Sequence, residues 1–315
     1  MSNTPRIMVI ASGLPGRSPA LLRAISLANK SGANLLLRSF EHVRSLERAA
    51  KQGFDLDAYL KGRREQLERF ADGIRKEGLK VDCAVVWGRP LAEKIIFEAL
   101  ALKPELVIKD TTSESALNRA FFSGLDWSLL ARCPAPLMFV HPSSASLPRR
   151  ILAAVDPLDE HGKPHALNAD ILKTAIALSM QCGARLDVAT AYEFIPMASE
   201  YEYIGWMPDM TLYEDLRKAH AEALYKLGRE FSVPPGNMHV LDGDPARAIA
   251  GFAADKKVDL VVMGSVYRTG IKHLFIGSTA EGAFDSLTCD VLVLKPQGFA
   301  AEIAALLESS TSKAA

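Results

Sequence analysis

The chain is written twice. A stretch opening RIMVIASG at Arg6 and a stretch opening RILAAVDP at Arg150 follow the same course. Each runs from a short apolar strand through a turn-rich loop into an apolar-periodic helix, stops at a glycine (Gly32, Gly183) and enters a second apolar strand. The ends match as well: FFSGLDWSLLARCPAPLMFVHP from Phe121 aligns without gaps on FIGSTAEGAFDSLTCDVLVLKP from Phe275. Gly88 and Pro90 in one half, and Gly243 and Pro245 in the other, form a Gly-x-Pro step before a helix. The repeated unit is longer than a solenoid repeat and long enough to hold its own core. HPSSASLPRR marks the linker, which predicts domains over 1–143 and 150–297 and a tail over 298–315 that begins as a short helix and frays.

Each unit alternates five strands with four helices. Runs such as Leu137 to Val140 and Leu260 to Met263 are continuously apolar, the signature of strands buried on both faces. The fold class is therefore α/β, a parallel sheet with helices on both sides and right-handed crossovers. The first helix carries its own start signal, Ser18 as N-cap and Pro19 at the first helical position. A second helix places Leu60, Leu67, Phe70 and Ile74 at near-helical spacing and stops at Gly78.

Bulk properties narrow the partners. Lys plus Arg equals Asp plus Glu at 37 each, so no net charge favours nucleic acid or an anionic membrane. No window approaches about 18 uninterrupted apolar residues, so membrane insertion is not expected. The opening MSNTPRIMVIASG does not read as a cleavable leader, and Cys83, Cys133, Cys182 and Cys289 form no Cys-x-x-Cys pair. These features predict buried thiols and a cytoplasmic, reducing location.

In an open parallel sheet a ligand lies beyond the carboxyl ends of the strands, where the strand order reverses. If the fourth strand adjoins the first, Asp156 and Gly264 face each other across that crevice in the second half. Gly277, Ser278 and Thr279 then open a helix nearby, with unpaired N–H donors suited to a phosphate. Asp156 can accept from a base amine or ribose hydroxyl, and Arg268, Lys272 and His273 can neutralise phosphate charge. The same glycines also serve as plain loop geometry, and both readings stand at this point.

The segment VDLVVMGS, the spacing from Gly264 to Gly277-Ser278 and the following CDVLVLKP closely resemble the universal stress protein family in its tandem-domain form. The resemblance covers the chain to about Pro296. It implies two flavodoxin-like (Rossmann-like) domains of strand order 3-2-1-4-5, paired through their last strands as an intramolecular pseudo-dimer, with a homodimer left open. It also implies ATP, with Mg²⁺, as the ligand of the nucleotide-binding branch. Carried over, Asp156 contacts the base with Val155 and the backbone at Ala189–Ala191, while Met263, Gly264, Arg268, Gly270, Gly277, Ser278 and Thr279 hold ribose and phosphates. The family's middle glycine is Tyr267 here, whose side chain can stack in the crevice or occlude it.

The first half departs further. Ser12 stands in place of Asp156, Asp110 in place of Gly264 and Ser123 in place of Gly277. Asp110 is expected to repel a phosphate. Phe121, Phe122, Leu125 and Trp127 make the ending bulky, for packing between domains or for an apolar ligand. DEHGKPH brings His161 and His165 near Asp156, Asp159 and Glu160, but Gly162 and Pro164 favour a solvated loop over a metal site. The Met- and aromatic-rich connection from Met197 to Met210 reads as packing on its own domain or as a flap. No nucleophile has a recognisable base, so the chain reads as a stress-responsive binding module and at most a weak ATPase. A nucleotide-independent scaffold, or a carrier of a small apolar ligand, is the alternative.

Overall fold

The computed structural model describes residues 4–11, 18–41, 51, 53–111, 123–144, 147–158, 164–193, 210–265, 282 and 286–314. The first half supplies β1 (Arg6–Ala11), α1 (Pro19–Ser31), β2 (Asn34–Glu41), α2 (Leu56–Lys76), β3 (Val81–Trp87), α3 (Leu91–Leu102), β4 (Leu106–Asp110), α4 (Gly124–Arg132) and β5 (Leu137–Val140). The second supplies β6 (Arg150–Ala154), α5 (Pro164–Cys182), β7 (Arg185–Tyr192), α6 (Met210–Glu230), β8 (Met238–Asp242), α7 (Pro245–Asp255), β9 (Leu260–Gly264), β10 (Asp290–Leu294) and α8 (Phe299–Ala314).

The strands join into one ten-stranded sheet in the order β3-β2-β1-β4-β5-β10-β9-β6-β7-β8. Each half thus has the order 3-2-1-4-5, and its neighbours are parallel. Among the described residues the single antiparallel seam is β5 against β10, with Phe139 opposite Val291 and Leu137 opposite Val293. Burial explains why these residues make strands: β5 is buried from Leu137 to Val140 and β10 from Asp290 to Leu294, with helices covering both faces. Two apolar layers result, one on each face, and each is shared by both halves.

Local signals fix the helix ends. The Ser18 hydroxyl accepts from Leu21 N at 3.2 Å, Pro19 follows it, and Gly32 closes α1 at φ 70°. Leu60, Leu67 and Ile74 are buried along α2, as their spacing requires. Asp244 accepts from Arg247 N at 3.0 Å at the start of α7. The last helix is longer than expected, sixteen residues, and buries Phe299 and Ile303.

The seam also carries charge. Arg23 on α1 meets Asp290 at 2.7 Å, both almost wholly buried. Asp290 Oδ1 accepts from His141 N at 2.9 Å and from the Ser144 hydroxyl. Burial pushes the Asp290 carboxyl up, against the opposing pull of Arg23. Two elements from one half and one from the other therefore meet on a single carboxylate.

Candidate functional site

In both halves the crevice lies where the first and fourth strands diverge at their carboxyl ends, between β1 and β4 and between β6 and β9. In the first crevice one carboxylate meets the start of a neighbouring helix. Asp110 ends β4, and its Oδ1 accepts from Ala20 N at 2.7 Å in the first turn of α1. A carboxylate thus occupies the donor that a phosphate would take at a helix N-terminus. The Asp110 carboxylate is thus engaged by the protein's own helix start.

On the other face of the sheet Lys109 reaches Asp126 Oδ1 at 2.7 Å and donates to Asp110 O at 2.8 Å, with both side chains inaccessible. Asp126 Oδ2 accepts from Ser123 N and from Ser123 Oγ, each at 2.8 Å. Ser123 in turn caps α4, completing a capping box. The helix that would open toward phosphates is closed by its own side chains. Leu125 and Trp127 pack against the apolar layer that spans both halves, in line with the packing reading. Phe121, Phe122 and Ser12 lie outside the described residues.

The second crevice is arranged differently. Asp156 is exposed just beyond β6, while Val155 is buried. Its backbone is clamped by Asn168 of α5: Asp156 N donates to Asn168 Oδ1 at 3.1 Å, and Asn168 Nδ2 donates to Asp156 O at 2.6 Å. Gly264 ends β9, but its bare face is turned to α5, not left open. A Cβ there would lie 2.7 Å from Leu167 Cδ2 and 3.2 Å from Ile171 Cδ1. The glycine therefore permits close helix-to-strand packing, a role the spacing did not announce. Met263 is buried beside it, in the position of Lys109.

Beside Asp156, the end of β7 holds Ala189, Thr190 and Ala191, and Val155 N donates to Ala189 O at 2.9 Å. Thr190 Oγ1 and the Nδ1 of His220 on α6 are buried and have no hydrogen-bond partner among the described residues. The His220 ring stacks on Tyr192 at 4.9 Å. Burial pulls the His220 imidazole down, and Asp156 nearby opposes that shift. The Tyr192 hydroxyl is driven up by burial, then by Asp242 and Tyr213.

The first half settles its equivalent position internally. Glu41, in register with Tyr192, accepts from Arg63 Nε at 2.5 Å, from Tyr59 Oη at 3.1 Å and from Ser39 Oγ at 3.2 Å. Sequence reasoning missed Tyr192 and His220. The available signal was the pairing of Glu41 with Tyr192 in the two repeats, a charge exchanged for an aromatic.

One further buried cation lies where the two halves meet. Lys295, just after β10, donates to Ser265 Oγ at 3.1 Å and to Leu130 O near the end of α4. Its ring neighbour is Phe299, 5.0 Å away, and burial brings its amine down to about 8. Burial also raises the thiols, Cys133 to about 11 and Cys83 and Cys289 to about 12, so none of these three is an activated nucleophile.

Of the sequence-predicted site residues, the fold brings Asp156, Val155 and Ala191 to the ends of adjoining strands. Met263 and Gly264 end the neighbouring strand on the other side of β6. Arg268, Gly270, Gly277, Ser278, Thr279, Tyr267, Lys272 and His273 lie outside the described residues, as do His161 and residues 194–209 of the Met-rich connection. Among the described residues no cluster of His, Cys, Asp or Glu could hold a metal ion, and no helix is long and apolar enough to cross a membrane.

Comparison with known proteins follows the same division into halves. The model of the universal stress protein family matches twice, over residues 3–141 and 148–295. Universal stress protein E of Photorhabdus laumondii is 26% identical over 315 residues, covering 98% of this chain and 100% of the relative. Universal stress protein E of Escherichia coli K12 is 32% identical over 224 residues, 70% of each chain. Among solved structures, a protein of unknown function from Pseudomonas aeruginosa superposes with a TM-score of 0.77 at 27% identity, covering 97% of this chain and 98% of its own.

Proposed function

The chain belongs to the universal stress protein family, and we propose that its second half binds an adenine nucleotide, ATP, while its first half does not. The observation that carries this reading is the contrast at the ends of the second strands. Beside Asp156, Thr190 and His220 present buried polar atoms without partners among the described residues, whereas Glu41 in the first half is fully engaged. Buried polar groups in native proteins are almost always paired, so such atoms beside an exposed carboxylate favour a ligand that pairs them.

In this reading the base lies over the end of β7, with Asp156 and the Thr190 hydroxyl toward its edge. The neutral His220 imidazole contributes either a donor or an acceptor, according to its tautomer. Gly277, Ser278 and Thr279, with Arg268 and Gly270, hold the phosphates, and Mg²⁺ accompanies them. Gly264 keeps α5 close instead of meeting the ribose. Among the described residues no nucleophile–base pair lies beside Asp156, in line with a binding and signalling module rather than an enzyme, and the reading places it in the cytoplasm.

Calorimetric titration of the full chain with ATP and Mg²⁺ tests the reading. One site per chain is expected, with affinity lowered at least about tenfold by Asp156→Ala, the loss of roughly one charge-assisted hydrogen bond. Absence of heat or of a thermal shift at millimolar ATP overturns it. So does native mass spectrometry of freshly isolated protein that finds only a co-purified apolar mass, the result expected of a carrier.

A further inference from the structure

The two ends of the ten-stranded sheet are finished differently. At the first-half end, the helix beside β3 covers the start of its edge. Arg75 of α2 donates to Val81 O from Nε at 3.0 Å and from Nη2 at 2.8 Å, and Glu68 accepts from Cys83 Sγ at 2.6 Å. Such devices blunt an edge that would otherwise pair with another strand. At the second-half end, no further strand follows β8 among the described residues, and a groove of about 570 Å³ runs along it.

The lining of that groove defines its shape. Met238 and Val240 come from one face of β8, and His239 and Leu241 from the other. Arg217, Lys218 and Tyr225 come from α6, which packs on one side of the sheet, while Phe252 comes from α7 on the other. A cavity touching both faces of a terminal strand and both helix layers is the notch in which one more strand would lie. Backbone direction agrees. Gly243 N donates to Tyr192 O at 2.9 Å, so alternation turns the amide and carbonyl of His239 and Leu241 inward. Those of Val240 and Asp242 are left facing outward.

We propose that β8 is a docking edge for an extended peptide that adds as an eleventh strand and carries acidic side chains toward α6. The charge preference comes from a difference between the halves. Arg63 on α2 is committed to Glu41, but its counterpart Arg217 on α6 is exposed, because Tyr192 replaces that glutamate. Arg217 makes no ion pair among the described residues, and Lys218 beside it has only the distant Glu222 at 4.0 Å. Glu214 also lines the groove, so two cations face one carboxylate and the balance favours an acidic partner. Along the opposite wall His239 and Phe252 form an aromatic pair 4.7 Å apart, a surface for apolar side chains. Alternate residues of an added strand point to opposite walls, so the preferred peptide alternates acidic and apolar residues. Pairing of β8 with β8 of a second copy would instead bring Arg217 and Lys218 of both copies together.

The test uses the full chain and a short fluorescein-labelled peptide alternating glutamate and valine, read by anisotropy. Saturable binding is expected, and Arg217→Glu with Lys218→Glu weakens it at least about tenfold. Val240→Pro removes an outward-facing N–H that no strand among the described residues uses, so the fold is kept and peptide binding is lost. Val85→Pro, the same change on β3, leaves binding unaltered. The proposal is overturned by absent binding to the wild-type chain, by equal binding of a lysine–valine peptide, or by a folded Val240→Pro variant that binds normally. Concentration-dependent dimers abolished by Val240→Pro overturn it in favour of self-pairing.

Discussion

At the exit of β4 the first half carries Lys109 and Asp110; at the exit of β9 the second half carries Met263 and Gly264. The strand order around them is the same. In one case a buried cation and a half-buried carboxylate are answered by the protein's own groups, Asp126 and the start of α1. In the other an apolar side chain and a bare backbone are packed from one side by α5. Among the described residues one sheet end thus supports two outcomes: charges answered internally, and a neighbouring set of buried polar atoms that is not. What separates them is whether the ends of the first, second and fourth strands carry groups that answer one another.

The largest expected effect breaks that internal answer. Lys109→Met alone leaves Asp126 buried without its cation and should cost about 3–5 kcal/mol in urea unfolding. Adding Asp126→Ala copies Met263 and Ala280 of the second half and should restore most of the loss. A double variant no more stable than the single one would show that the pair does more than neutralise itself.

Next in size is the link between the halves. Lys295 ties Ser265, beside Gly264, to the carbonyl of Leu130 on α4, and burial brings its amine from 10.5 to about 8. The folded state therefore releases this proton more readily than the unfolded one. Its contribution is destabilising below pH 8 and is relieved as pH rises from about 8 to 10.5, by at most about 3 kcal/mol. Raised thiols such as Cys133 act in the opposite direction over the same range. The measurable quantity is thus the difference between wild type and Lys295→Met, whose stability should rise less with pH. Equal slopes in the two proteins would place this amine in water.

Gly264→Ala distinguishes packing from ligand contact. Its new methyl meets Leu167 Cδ2, the movable end of a side chain, so the cost should be about 1–2 kcal/mol. ATP affinity is expected to change less than about threefold, well under 1.4 kcal/mol. A large affinity loss with little change in stability would return Gly264 to the ligand.

Much of this architecture was legible in the sequence. Gly32, Gly183, Ser18 and Pro19 are local signals, and they fix helix ends wherever the chain is placed. Apolar runs such as Leu137 to Val140 admit only a doubly buried strand. The crevice was legible as a place but not as a set of contacts. Asn168 reaches Asp156 across 12 positions, Asp110 reaches Ala20 across 90, and Lys295 reaches Leu130 across 165. No period or motif encodes such pairs. Lys109 did leave a trace: a lysine inside the apolar strand LVIKD, where the repeat has LVVMG. A charge at a doubly buried position requires a partner, and that requirement could have pointed to Asp126.

The smallest expected effect asks whether opening the first crevice is enough to make it resemble the second. Asp110→Ala removes the carboxylate from Ala20 N, a cap-like bond worth about 1 kcal/mol. The start of α1 then gains a free donor on one side of the crevice. On the other side Lys109 and Asp126 remain locked together, and Glu41 still engages Arg63 and Tyr59. A nucleotide would meet one donor but, among the described residues, no unpaired group for its base. Calorimetric ATP stoichiometry should therefore stay at one per chain in the Asp110→Ala variant. A rise to two would mean that a single carboxylate, and not the whole paired network, keeps the halves apart.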